Sequence, residues 1–121
     1  MMNVRNVSEI EALQAKAKGV KRRILVGKGN GSEEFVMRYF EMEKGGHGFV
    51  HHHDWGHGIF VVGGQARLTI GDEECDIKKG DTFYIPPNKT HTMKNTGDET
   101  FVFICTIPGY ANEEERVFLE E

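Results

Sequence analysis

Residues 45–64 read GGHGFVHHHDWGHGIFVVGG, and this stretch decides how the rest of the chain is interpreted because it holds five of the six histidines. His51 and His53 are two residues apart, so an extended backbone directs both side chains to one face. His57 follows the turn-like segment 54–56 and opens an apolar run. Convergent imidazoles suit manganese, iron, nickel, copper or zinc. The stretch therefore predicts the beginning of a metal site, with a further ligand from elsewhere in the chain.

Short β-prone runs lie on both sides of this stretch and are separated by glycine, aspartate, asparagine or proline, a rhythm typical of an all-β sandwich or barrel. The apolar runs Ile59–Val62 and Phe101–Ile107 do not alternate as a sheet with one wet face should. We therefore expect two packed sheets, with one outer face partly buried in a homodimer. The predicted strands are Lys21–Val26, Phe35–Glu43, Phe49–His53, His57–Val62, Gln65–Ile70, Glu73–Ile77, Asp81–Ile85, Thr90–Asn95 and Thr100–Ile107.

The N-terminal segment is predicted to form a short helix. Ser8 and Glu11 have the spacing of a capping box, and Glu9–Ala17 contains good helix formers. The predicted regions are an N-terminal helical arm at residues 1–19, a β-barrel at 20–110 and an acidic C-terminal tail at 111–121.

Composition limits the classes of partner. Because the net charge is -4, we do not expect non-specific electrostatic binding of nucleic acid. The N-terminus lacks the apolar core of a signal peptide and no stretch reaches about 18 apolar residues, so we expect a cytoplasmic protein with no membrane association. Cys75 and Cys105 have no CxxC spacing and are expected to be buried thiols.

The sixth histidine, His91, lies in residues 80–95, GDTFYIPPNKTHTMKN. The two stretches together resemble the cupin family, whose motifs are G-x5-H-x-H-x3,4-E-x6-G and G-x5-P-x-G-x2-H-x3-N. Asn88 replaces the glycine of the second motif and also tolerates a left-handed backbone. Matching positions of the first motif are Gly45, His51, His53, His57 and Gly64, with His57 where the family usually has glutamate; those of the second are Gly80, Pro86, His91 and Asn95.

The chain through Pro108 is also similar to a small stand-alone four-histidine cupin described with bound manganese. This resemblance implies a double-stranded β-helix, or jelly-roll, barrel in which the metal ligands converge at the barrel mouth. The implied ion is Mn²⁺, with Fe²⁺, Zn²⁺, Ni²⁺ and Cu²⁺ as alternatives. The implied ligands are His51, His53, His57 and His91.

The replacement of glutamate by histidine changes the charge of the site. Four neutral imidazoles leave a divalent ion at +2, a strong Lewis acid that attracts anions. An octahedral ion would keep two positions open for a chelating acid or for dioxygen beside substrate, whereas tetrahedral zinc would be closed and structural. A histidine tract that only scavenges metal is the competing interpretation.

Several residues are candidates for the pocket around the ion. Ile59 and Val61 share the strand parity of His57 and should face the barrel interior. The resemblance implies that Phe103 and Cys105 face the metal, with Cys105 as an oxidisable thiol. Trp55 either roofs the entrance or packs at the barrel rim.

The expected function is that of a metal-dependent oxidoreductase or dioxygenase-like enzyme, using Mn or Fe on a small anionic organic substrate that chelates the ion. The alternatives are a non-catalytic metal-dependent protein that binds or senses a small ligand, and a metal-dependent isomerase or lyase. The sequence assigns no catalytic residue.

Overall fold

The computed structural model describes residues 2–15, 17–48, 51–111 and 117–118, with the backbone alone described at 51–52 and 117–118. These residues form strands with two short 3-10 turns, Val7–Glu9 and Lys28–Asn30. The strands are β1 Leu13–Gln14, β2 Val20–Val26, β3 Phe35–Met42, β4 His51–His52, β5 His57–Gly63, β6 Gln65–Ile70, β7 Glu73–Lys78, β8 Thr82–Ile85, β9 His91–Asn95, β10 Phe101–Pro108 and β11 Val117–Phe118.

The strands pair into two antiparallel sheets. The six-stranded sheet has the order β1-β2-β3-β10-β5-β8, and the five-stranded sheet has the order β11-β4-β9-β6-β7. Strand β10 lies between β3 and β5, so strands distant in sequence become neighbours, as in a jelly roll. The all-β jelly-roll prediction is confirmed, and each of the nine predicted strands has a counterpart, with residues 49–50 of the predicted strand Phe49–His53 outside the described part of the chain.

The core lies between the two sheets and follows the two-residue period of the strands. On β10 the side chains of Phe101, Phe103, Cys105 and Ile107 are buried, while the alternate positions are only partly buried. On β5 the residues Ile59 and Val61 are buried, as their parity with His57 predicts, while Phe60 is half exposed. The five-stranded sheet contributes buried apolar residues from the opposite side: Ala66, Leu68, Ile77 and Met93.

The N-terminal helix prediction is wrong in extent. Asn6, rather than Ser8, caps a single 3-10 turn at Val7–Glu9, and the following segment forms β1, which pairs with Lys21 and Arg22 of β2. Backbone pairing to the sheet therefore prevails over helix propensity, which is a weak preference that tertiary context overrides.

A glycine of the first motif is required by its backbone. Gly64 has φ +81°, and a Cβ at this position would lie 2.7 Å from the carbonyl oxygen of Thr100. Only glycine adopts this conformation readily and allows the close approach. Gly64 therefore fixes the tight turn between β5 and β6.

Other predictions fall near the ends or surface of the chain. The predicted tail includes β11, whose backbone pairs with His51 and His52, while residues 112–116 and 119–121 lie outside the described part. The prediction of two buried thiols is wrong for Cys75, which is exposed on the edge strand β7, and right for Cys105. In the described ranges, no helix is long and apolar enough to span a membrane.

Candidate metal centre

Three histidines converge between the two sheets. His57 is the first residue of β5, His91 is the first residue of β9, and His53 lies in the connection between β4 and β5. All three are buried, with 3 to 6% of their surface exposed. One ring nitrogen from each lies within 4.8 Å of the others. The histidines predicted from two separate motifs thus meet at one point.

The ring arrangement fits a metal ion. The His53, His57 and His91 ring centroids lie 4.9 to 5.1 Å apart, and each pair of rings is strongly inclined. Nitrogens bound to one ion at about 2.1 Å are separated by no more than roughly 4.2 Å, so small side-chain adjustments would complete coordination. The possible ligand atoms of the group are imidazole nitrogens, which suit manganese, iron, nickel, copper and zinc alike.

The second motif positions the loop that carries His53. The backbone N–H of Asn88 donates to the carbonyl oxygen of His53 at 2.7 Å. Asn88 has φ 62° and is the non-glycine residue with positive φ in the described ranges, so the left-handed tolerance predicted for this position is used. Asn95, which ends the motif, is buried and donates through Nδ2 to the carbonyls of Met42 and Glu99.

Two of the histidines have a ring nitrogen turned toward a neighbour rather than toward the cluster. Nδ1 of His91 lies 3.0 Å from the carbonyl oxygen of Lys89. A carbonyl only accepts, so Nδ1 carries the hydrogen and the neutral ring presents the lone pair of Nε2. Nδ1 of His57 lies 3.2 Å from Sγ of Cys105. The Nε2 atoms of both rings are buried.

Trp55 forms part of the site wall. Its indole stacks face to face on the His53 imidazole, with centroids 4.4 Å apart and planes inclined by 5°, and only 2% of the residue is exposed. The buried side chain therefore packs directly against the histidine cluster. This stacking fixes the plane of one candidate ligand.

The remaining histidines differ in position. His47 is exposed, as expected for a histidine outside the metal site. The backbone of His51 pairs directly opposite His91, but the side chains of His51 and His52 lie outside the described part of the chain. His51 as a fourth ligand therefore stays a prediction.

The other predicted pocket residues lie on the inner face of the six-stranded sheet. Ile59, Val61 and Phe103 are buried there, and Phe103 stacks on Phe40 with ring centroids 4.9 Å apart. Cys105 contacts the cluster through its Sγ atom, which lies 3.2 Å from Nδ1 of His57.

Arg38 is a residue of this region that the sequence reasoning missed. It is 5% exposed, and its Nη2 donates to Cys105 Sγ at 3.2 Å. The available signal was a single charge at an inward position of β3, in phase with Phe40 and Met42. A charged residue at such a position is buried only with polar partners, which makes it a candidate for function.

Comparison with known families agrees with this arrangement. A family model described as a cupin domain matches residues 38–107, which include every histidine of the cluster. The chain belongs to the cupin family. The cupin matches the polyketide cyclase RemF from Streptomyces resistomycificus with a TM-score of 0.91 and 23% identity, covering 100% of this chain and 87% of that one. A predicted oxalate decarboxylase from Thermotoga maritima matches with a TM-score of 0.78 and 20% identity, covering 88% and 98%. At these identities the likeness shows the fold alone.

A curated relative also aligns with this cupin in sequence. The 1-methylthio-D-xylulose 5-phosphate methylsulfurylase of Rhodospirillum rubrum is 29% identical over 90 residues, which is 74% of this chain and 56% of that protein. The chain spans about half the length of this and another curated relative.

Proposed function

We propose that this cupin binds one divalent transition metal, Mn²⁺ or Fe²⁺, and acts as an oxidoreductase or dioxygenase-like enzyme on a small anionic organic substrate. The observation that carries the proposal is the cluster of three buried histidines with ligand atoms within 4.8 Å. Burial favours a defined site because a solvated histidine tract would not order three rings around one point. His51 is proposed as the fourth ligand.

The charge of the site supports an anionic substrate. The clustered donors in the described ranges are imidazoles, so a divalent ion would keep its full charge. Arg38 adds a second positive charge close to the cluster, through Cys105. In a site of low dielectric constant, both charges attract a carboxylate or phosphate more strongly than in water. The bound ion would supply Lewis acidity and accessible redox chemistry.

The residues around the histidines have separate tasks in this proposal. Trp55 holds the plane of His53, while the buried side chains of Ile59, Val61 and Phe103 exclude water from the sheet beneath the site. The relative that aligns in sequence is named as a methylsulfurylase of 1-methylthio-D-xylulose 5-phosphate, an enzyme whose substrate is a small phosphate ester. That name favours catalysis over binding alone.

Metal binding is tested first, with protein that carries no histidine tag. Wild-type protein is expected to contain close to one equivalent of metal by elemental analysis, and His53→Ala is expected to lose it. His47→Ala is the matched control because His47 is an exposed histidine. Equal loss in both variants, or full occupancy in His53→Ala, would contradict the site.

Catalysis is tested on the metal-loaded protein with a panel of 2-oxo acids, 2-hydroxy acids and sugar phosphates. Oxygen consumption with formation of product supports the oxidoreductase proposal. Product without oxygen consumption supports an isomerase or lyase, and saturable binding without product supports a sensing protein. Zinc in a closed tetrahedral shell would make the site structural.

A further inference from the structure

Arg38 lies one side chain away from the candidate metal ligands. It is the direct register partner of Cys105 across the β3–β10 pair, and its Nη2 lies 3.2 Å from Cys105 Sγ. Nδ1 of His57 lies 3.2 Å from the same sulfur. These two contacts form a hydrogen-bond chain that runs from the guanidinium through the thiol to the imidazole of His57, a residue of the histidine cluster.

All three residues of this hydrogen-bond chain are buried. Arg38, Cys105 and His57 are 5%, 1% and 6% exposed. The Arg38 guanidinium also lies over the Phe40 ring, with Cζ 4.9 Å from its centroid, and Phe40 is stacked on Phe103. Hydrogen bonds in such surroundings are stronger and more directional than in water, so the guanidinium is a fixed donor.

The hydrogen-bonding capacity of each group determines the effect on His57. A guanidinium has only donors, so the sulfur accepts from Arg38. A metal at Nε2 of His57 requires the ring hydrogen on Nδ1, and Sγ must then accept from His57 as well. If the thiol instead donated to Nδ1, the hydrogen of the neutral ring would stand on Nε2, where it would exclude the ion.

The tautomers of His91 and His57 are determined in different ways. The Lys89 carbonyl faces Nδ1 of His91 and can only accept, so that tautomer is determined locally. A cysteine sulfur can donate or accept. Arg38 donates to one side of Sγ and so fixes its position. The positive charge of the guanidinium also stabilises negative charge on the sulfur, which favours Sγ as the acceptor of a hydrogen bond from Nδ1–H of His57.

We propose that Arg38 is a positioning residue of the metal centre, which acts through Cys105 to set the tautomer and orientation of His57. The inference rests on the proposed metal site and adds a residue that neither cupin motif contains. Groups that orient a metal ligand from behind typically change metal affinity by about 10- to 100-fold when they are removed. A similar loss is expected here.

The test compares Arg38→Met, Cys105→Ala and the double variant. Mn²⁺ affinity is measured by competition with a chelator, and the His57 tautomer is read in metal-free protein from long-range ¹H–¹⁵N NMR correlations. Each single variant is expected to bind Mn²⁺ about 10- to 100-fold more weakly, and the double variant no more weakly than Cys105→Ala. The Nδ1–H tautomer of His57 should dominate in the wild type and decrease in both single variants. Cys105→Ser, which keeps an acceptor, and Arg38→Lys, which keeps a charged donor, should retain more of the affinity.

The controls separate this inference from the metal proposal. Circular dichroism and urea unfolding establish that each variant is folded, and Arg38→Gln, which removes the charge but keeps a polar side chain, replaces Arg38→Met if the latter is not. Additive losses of affinity in the double variant, or an unchanged His57 tautomer in the folded Arg38→Met or Arg38→Gln variant, overturn the role of Arg38. A wild type that binds no Mn²⁺ while Arg38 still controls the tautomer overturns the metal function and leaves the hydrogen-bond chain supported.

Discussion

Replacing His57 by glutamate tests the charge argument most directly. The variant places a carboxylate where the cupin motif normally has one and lowers the net charge of the loaded site from +2 to +1. His57→Gln is the matched control, because glutamine has nearly the same size as glutamate and the variant also loses the contact between His57 and Cys105. The two side chains have nearly the same shape, and only that of glutamate carries a negative charge.

The magnitude follows from the spacing of the ligands. An anion bound to the ion would lie about as far from position 57 as the ligand atoms lie from one another, within 4.8 Å. With an effective dielectric constant of about 20, two unit charges at this separation repel by about 3.5 kcal/mol. That energy corresponds to on the order of 100-fold in affinity.

Isothermal titration of Mn²⁺-loaded protein with glycolate, a chelating monoanion, measures the effect. The His57→Glu variant should bind glycolate on the order of 100-fold more weakly than His57→Gln, with Mn²⁺ occupancy of both verified by elemental analysis. Affinities of the two loaded variants that agree within about threefold would refute the reasoning, because the missing carboxylate would then not govern anion binding.

Further predictions concern stability, metal release and assembly. Asn95→Ala should lower the free energy of unfolding by about 2 to 3 kcal/mol in urea titrations, because it removes the hydrogen bonds that a buried side chain makes to two carbonyls and from one N–H. Gly64→Ala should be more destabilising than Gly58→Ala, since only Gly64 has a positive φ and a close backbone contact; equal unfolding midpoints would contradict this. Trp55 is the chain's one tryptophan, so removal of a paramagnetic ion by chelator should increase emission, and unchanged emission would place the ion elsewhere. We also expect a homodimer through the outer face of the six-stranded sheet, where Phe60 is 49% exposed; Phe60→Glu should shift the sedimentation coefficient to that of a monomer, and a monomeric wild type would contradict this.

Much of the fold followed from local patterns. The strands were predictable because turn residues separate them and because alternate residues of a strand face opposite sides of a sheet. Asn88 was predictable as a left-handed position because few residue types tolerate that conformation, and it has φ 62°. The segment after Glu9 was mispredicted because its helix propensity is weaker than the pairing that β2 offers.

The candidate site divides in the same way. The sequence by itself determined which histidines could form the cluster, because their spacing places His53, His57 and His91 in two separate motifs. The resemblance of those motifs to the cupin family implied that His57 stands where a carboxylate is usual. The tertiary structure alone decided that Trp55 stacks on His53 and that Arg38 reaches His57 through Cys105. Arg38 and Cys105 are 67 residues apart, and His57 and Cys105 are 48 apart. Contacts at such separations depend on which strands become neighbours, and a local pattern carries no information about that choice.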